Sequence, residues 1–333
     1  MKVFKKVVKT FFMSLILFIF ILITGLNVVR RFVCFDYYNN CRKVCKIAGL
    51  GDGFIPQGLG YSEEEKLILQ SGYLVGSNKV VIYLIDEDGK SKRINVMNQD
   101  GSHYVGHFGG IATFHDFVYC SEDYQDENGD LSNRVYVFSL QELMETKNNG
   151  NITVENYFLA DTEGACISVD NGYLYVGEYY YPKLYETDTS HHITTPNGIK
   201  QNAFSCAYKL DENQEYGVGD LEFQISIPDK VQGFTIHDGV GIISQSWGPT
   251  LSKLGFYNVE KTDLVSSSSG KEVPLYTMDE TTLIKEVTLP SMSEGIFVKD
   301  NRVHIYFESA GNKYLFGKLF NDYYITSYPF INK

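Results

Sequence analysis

Five stretches of this chain share one layout: a polar residue, a glycine, a short apolar strand, a turn and a second apolar or aromatic strand. They are Ile55–Tyr73, His107–Asp123, Thr162–Tyr179, Val231–Trp247 and Met292–Ser309. Their glycines, Gly58, Gly110, Gly164, Gly233 and Gly295, are separated by 52, 54, 69 and 62 residues. A period of this length marks a repeat architecture. A single four-stranded unit cannot cover both of its apolar faces. Units stacked radially cover one another and leave only short edges.

The strand pattern inside the units agrees. In the second unit, Gly110–Phe114 and Phe117–Ser121 are followed by Arg134–Leu140 and Ile152–Leu159 as third and fourth strands. In the fifth, the corresponding runs are Gly295–Val298, Val303–Glu308, Lys313–Leu319 and Tyr323–Tyr328. Asp88-Gly89, Asn171-Gly172 and Asp238-Gly239 are hairpin-turn dipeptides. The 25 Tyr and 22 Phe suit half-buried strands. The fold class is therefore all-β, a β-propeller of five four-stranded blades over residues 54–333. Six blades are the alternative if the long third or fourth unit conceals a degenerate repeat. Ring closure uses either the end of the chain or a strand within Lys43–Leu50. The extra length falls in a loop, Tyr179–Asn202, and in a Ser-rich excursion, Lys261–Thr282. Loops on a rigid scaffold often carry function, and tolerated insertion is their alternative.

A basic N-terminus (residues 1–9) precedes an uncharged run, Thr10–Val29, long enough to span a bilayer as a helix. No good small-residue cleavage site follows it, which favours an uncleaved signal anchor. The Lys-rich start places the N-terminus in the cytoplasm and the propeller outside it, on a single-pass membrane protein. Arg30, Arg31, Arg42, Lys43 and Lys46 oppose that asymmetry from the other flank. Residues 30–53 read as a linker.

Residues 1–46 hold nine basic side chains against one acidic one; the whole chain is at −12, so the remainder carries −20. Such a body disfavours nucleic acid, which is bound through Lys/Arg surfaces. It suits cationic ligands, Ca²⁺ or basic protein partners, and equally serves solubility. The spacing of Cys34 and Cys41 allows a small disulfide loop. Cys120, Cys166 and Cys206 suit buried free thiols.

First strands of propeller blades line the channel, so the residues before the repeated glycines converge at one mouth. They are Gln57, Gly109, Glu163, Gln232 and Glu294, with His107 just upstream. The glycines let backbones crowd at the axis, or adopt torsions that a Cβ forbids. Glu163 and Glu294 are candidate ligands for a hard cation such as Ca²⁺, with glutamine oxygens completing the shell. They could instead act as an acid/base pair, or bond backbone amides and fix the blades. A second ring stands where second strands end: Tyr73, Glu122, Glu178, Ser246 or Trp247, and Glu308. It caps the opposite mouth or an inter-blade cleft. Trp247, the single tryptophan, is expected to pack between blades; stacking on a sugar or another flat ligand is the alternative. His191-His192 suggests transition-metal affinity, and Asp123–Asp130 superficially resembles a Ca²⁺ loop without its full spacing. There is no G-x-S-x-G, P-loop or H-E-x-x-H motif, and no nucleophilic triad can be assigned.

The phrases IPQGLGY, GHFGGIA, TEGACISVDNGYLYVGEYY, VQGFTI with SQSWG, and MSEGIFVKDNRVHIYFES resemble those of secreted or membrane-anchored bacterial propellers of uncharacterised role. More distantly, residues 54–328 are similar to glutamine cyclotransferase-like and to gluconolactonase-like and NHL-type propellers. The gluconolactonase-like enzymes hold a divalent metal in the channel through Glu, Asn and Asp. That resemblance implies Glu163 and Glu294 as the carboxylates, while its Asn and Asp have no assigned counterparts. Two functions follow as expectations. One is a non-catalytic extracytoplasmic propeller that binds a small molecule or protein at its face. The other is a metal-dependent hydrolase, lactonase or cyclotransferase at the channel mouth.

Overall fold

The computed structural model describes residues 2–122, 133–320 and 322–331. The DYQDENGD segment, 123–130, lies outside them. The body is a five-bladed β-propeller. Its innermost strands are Phe54–Ser62, Gly110–Phe114, Cys166–Asp170, Val231–His237 and Ser293–Lys299. Each touches the next, and the fifth returns to the first. Buried apolar side chains fall into five clusters, one for each pair of neighbouring blades. Val80, Ile82, Val118 and Phe138 join the first blade to the second. Phe54, Val81, Tyr306 and Ile325 join the fifth to the first. Each sheet thus loses both apolar faces to its neighbours, which is why one blade cannot stand alone.

The repeated glycines are there for close approach. A Cβ on Gly58 would lie 2.6 Å from the backbone of Gly110, and one on Gly295 would lie 2.5 Å from the amide of Leu59. None of the five has positive φ, so the special torsions of glycine are not their reason. The hairpins do use them: Asn171-Gly172 and Asp238-Gly239 both turn with two positive φ values, as a type I′ turn demands.

Closure comes from the N-terminal side. Arg42–Lys46 pairs antiparallel with Tyr324–Pro329 as the outermost strand of the fifth blade. Lys313–Leu319 is therefore not a strand; Leu315–Lys318 is a short helix, and Tyr324–Pro329 takes the third place. Within Ile152–Leu159 the chain serves two sheets. Gly150–Thr153 runs parallel on the edge of the first blade, and Asn156–Leu159 is the fourth strand of the second. The Lys261–Thr282 excursion is ordered as well. Its strands Glu260–Ser266 and Val273–Thr277 extend the third blade to six, so the added length builds no sixth blade. Inside Tyr179–Asn202, Ile193–Thr194 and Lys200–Gln201 pair as a small hairpin.

Lys2–Val33 is one continuous helix. Phe4–Val33 is long and apolar enough to cross a membrane, and the body buries none of its most apolar stretch. Residues 30–53 are not a free linker. Asn27 donates to the Leu319 carbonyl at 2.9 Å, and Arg30 pairs with Asp322. Cys34 and Tyr37 are buried with Phe256, Phe307 and Tyr328 between the fourth and fifth blades. The Tyr37 and Thr326 hydroxyls share a hydrogen bond at 2.6 Å. All six cysteines are free thiols, so Cys34 and Cys41 are not bridged.

Tyr37 therefore belongs to the propeller core. We expect Tyr37→Ala to cost the detergent-solubilised chain about 3–5 kcal/mol in urea unfolding. Tyr37→Phe should cost about 1 kcal/mol, the loss of one buried hydrogen bond. Equal, near-zero losses for both would show that this segment is not packed on the blades.

Candidate functional site

Each first strand starts at the mouth where its hairpin partner ends, because the two run antiparallel. Ile55 faces Tyr73 and Val231 faces Gln245 across their ladders. The two rings read from the sequence accordingly meet at one mouth rather than at opposite ones. There they enclose a cavity of about 420 Å³. Gln57, His107, Glu163 and Gln232 line it from the first ring, and Tyr73, Trp247 and Glu308 from the second. Ser246, beside Trp247, is buried, and its hydroxyl accepts from that of Ser252 at 3.1 Å.

Three expected members stand behind the walls. Glu294 is buried and does not line the cavity. Glu122 is buried, accepting from the His107 amide at 3.1 Å and the Tyr104 hydroxyl at 2.7 Å. Glu178 is buried too; one oxygen pairs with His191 Nδ1 at 2.7 Å and the other accepts from the Phe204 amide at 2.8 Å. Those two carboxylates fix loops behind the cavity, as charge-assisted bonds to backbone amides do. Among the described residues, no group of three or more His, Cys, Asp or Glu side chains is disposed to hold a metal ion. His191 and His192 diverge: the first stacks on Phe204 at 4.7 Å, and the second meets the Thr187 hydroxyl at 3.1 Å.

Glu163 reaches the cavity through a register difference. In the third blade the residue that pairs with the second strand is Cys166, opposite Gly177. Gly164 lies two positions earlier, so Glu163 stands at the rim of the channel rather than on its wall. Burial, then the nearby Glu178 and Asp188 carboxylates, push its pKa up to about 8. It is thus largely protonated at neutral pH and can donate a hydrogen bond. Across the cavity Glu308 accepts from the Tyr314 hydroxyl at 2.7 Å. Lys313 donates to the Tyr73 hydroxyl at 2.9 Å, and Tyr73 stacks on His107 at 4.7 Å. Burial raises the Glu308 pKa, against the opposing effects of Tyr314 and Lys313.

The remaining wall is aromatic. Trp247 is half-buried rather than packed away between blades. It stacks on Tyr181 at 4.0 Å and meets the edge of Tyr185 at 6.3 Å, while Tyr179 stands against Tyr185 at 5.4 Å. The three tyrosines come from the long loop after the third blade's second strand. The sequence marks that loop, with Tyr179 as its first residue, but singles out none of the three as a site residue. It also missed Lys313 and Tyr314, which lie in a segment read as strand. Left-handed backbone at Phe108, Lys230 and Met292, just ahead of three first strands, was equally hidden. Non-glycine residues at such φ values are uncommon and often cluster at functional sites.

No family model matches this chain, and no curated protein does. Solved structures align with it at low identity. A GH43_1 enzyme from Xanthomonas citri aligns over 90% of this chain and 94% of its own, at 10% identity and a TM-score of 0.45. A gluconolactonase from Xanthomonas campestris aligns over 87% and 95%, at 11% identity and a TM-score of 0.33. BamB from Moraxella catarrhalis aligns over 84% of both chains, at 9% identity and a TM-score of 0.33.

The raised pKa of Glu163 has a signed consequence. The folded state holds this proton more tightly than the unfolded chain, whose carboxyl titrates near the ordinary 4.5. The group is neutral in effect below that pH. It destabilises the fold progressively as pH rises toward about 8, where the penalty is complete. Glu163→Gln removes the titration. Its melting temperature should match that of the parent in acid and exceed it increasingly up to pH 8. Parallel melting curves at every pH would contradict the assignment.

Proposed function

We propose that this chain is a membrane-anchored propeller held outside the cytoplasm, and that it binds a small polyhydroxylated ligand, such as a sugar, without transforming it. The aromatic wall of the 420 Å³ cavity carries this reading. Trp247, braced by Tyr181, gives a flat apolar surface of the kind that covers the C–H face of a sugar ring. Gln57, Gln232 and protonated Glu163 stand where ring hydroxyls would need donors and acceptors. The apolar helix and the basic N-terminus support anchoring with the propeller outside. Protease added to intact cells or spheroplasts should then digest the propeller.

The single tryptophan makes the ligand reading testable. Titration with mono- and oligosaccharides should change the fluorescence of the protein in a saturable way. Trp247→Ala should weaken binding by about tenfold or more in calorimetry, a loss of at least ~1.4 kcal/mol. Saturable sugar binding that survives Trp247→Ala unchanged would refute the site, and no binding across a broad saccharide panel would refute the ligand class.

The hydrolase reading keeps one observation in its favour. A carboxyl titrating near 8 in a cleft is suited to donate a proton at neutral pH. Turnover of a bound saccharide or lactone that Glu163→Gln abolishes, with binding retained, would replace the binding reading by that one.

A further inference from the structure

Two carboxyl groups line the cavity of about 420 Å³, and they differ in what answers them. Glu308 accepts from the Tyr314 hydroxyl at 2.7 Å, and the charges of Lys313 and His107 act on it. Among the described residues no group hydrogen-bonds the Glu163 carboxyl, and the charged groups that act on it, Glu178 and Asp188, share its sign. We propose that the ligand is an amino sugar, and that its ammonium group is the partner of Glu163. This rests on the saccharide reading and narrows it to one chemical class.

Gln57 is a second, independent observation. It is 9% exposed and lines the same cavity. Its amide nitrogen donates to the neighbouring Pro56 carbonyl at 2.8 Å, which fixes the plane of the amide. Among the described residues no donor reaches its amide oxygen. That oxygen is not sealed in the interior either, so it opens on the cavity. A buried amide oxygen is nearly always hydrogen-bonded, and this one calls for a donor from a ligand or water. Ammonium and sugar hydroxyl groups supply such donors.

The cations already present are engaged elsewhere. Lys313, the lysine of the lining, donates to the Tyr73 hydroxyl at 2.9 Å. Lys230 lies over the Tyr181 ring, outside the lining. His191 is paired with Glu178, and the charges of His191 and His192 act on Asp188. Glu294 adds a further acidic group behind the wall, where it acts on Tyr179. The aromatic faces of Trp247, Tyr179 and Tyr185 attract a cation as well as cover the C–H face of a sugar. Glu163 is largely protonated at neutral pH. An ammonium beside it favours the carboxylate, so the carboxyl proton passes to solvent as the ion pair forms.

Calorimetry on the full-length protein in detergent tests this with glucosamine, N-acetylglucosamine and glucose. Near neutral pH, glucosamine should bind about threefold or more tighter than the other two. Titrations in buffers of different ionisation enthalpy should show that glucosamine releases most of one proton and glucose none. Glu163→Gln should abolish the preference for glucosamine over glucose and end the proton release. Gln57→Met should weaken glucosamine binding by about threefold or more, as the loss of one acceptor would. Glucosamine bound no more tightly than glucose or N-acetylglucosamine, or still preferred after Glu163→Gln, would overturn the inference and leave the saccharide reading standing. Failure of all three sugars to bind would overturn both.

Discussion

Ring closure is the constraint on which the rest of this structure depends. Five twisted sheets can bury their apolar faces only if the last packs on the first. That happens here when Arg42–Lys46, from before the first blade, completes the fifth. The chain ends are thereby held together by one sheet rather than by a sequential contact. Opening any blade interface would expose apolar surface on two sheets at once. The close approach of the innermost strands, allowed by Gly58, Gly110 and Gly295, sets the narrow channel around which closure occurs.

Closure also joins the N-terminal apolar helix to the body. The closing strand directly follows the segment that buries Cys34 and Tyr37. Upstream, Arg30 is paired with Asp322 beside the last strand. A helix tethered by a flexible linker would let the propeller tumble freely about it. This helix enters the fifth blade through packed side chains, so its direction and that of the channel are coupled.

Much of the architecture was readable from the residues. The five glycine-centred repeats located the first strands, and the polar residues beside them named Gln57, His107, Glu163 and Gln232 as neighbours. The rings were harder to place. Tyr73, Trp247 and Glu308 end second strands, and only the antiparallel return of each hairpin brings them to the first-ring mouth. Glu294 and Glu163 look equivalent in sequence. A two-residue register difference in the third blade puts one into the cavity and leaves the other buried. Tyr179, Tyr181, Tyr185, Lys313 and Tyr314 come from irregular segments with no period to align.

The sequence by itself determined the five glycine-centred repeats, the strand order within most hairpins, the apolar helix and the acid balance of the body. These follow from local periodicity, turn chemistry and composition, which need no knowledge of distant neighbours. Only the tertiary structure decided which strand closes the ring, that the Lys261–Thr282 excursion widens the third blade, and which carboxyl groups reach a cavity. Those outcomes depend on pairings between residues 51 positions apart (Gln224 with Leu275) to 285 apart (Arg42 with Ser327), and on register differences of one or two residues. Neither leaves a mark in a linear pattern, because the interactions that select them exist only once the blades have packed.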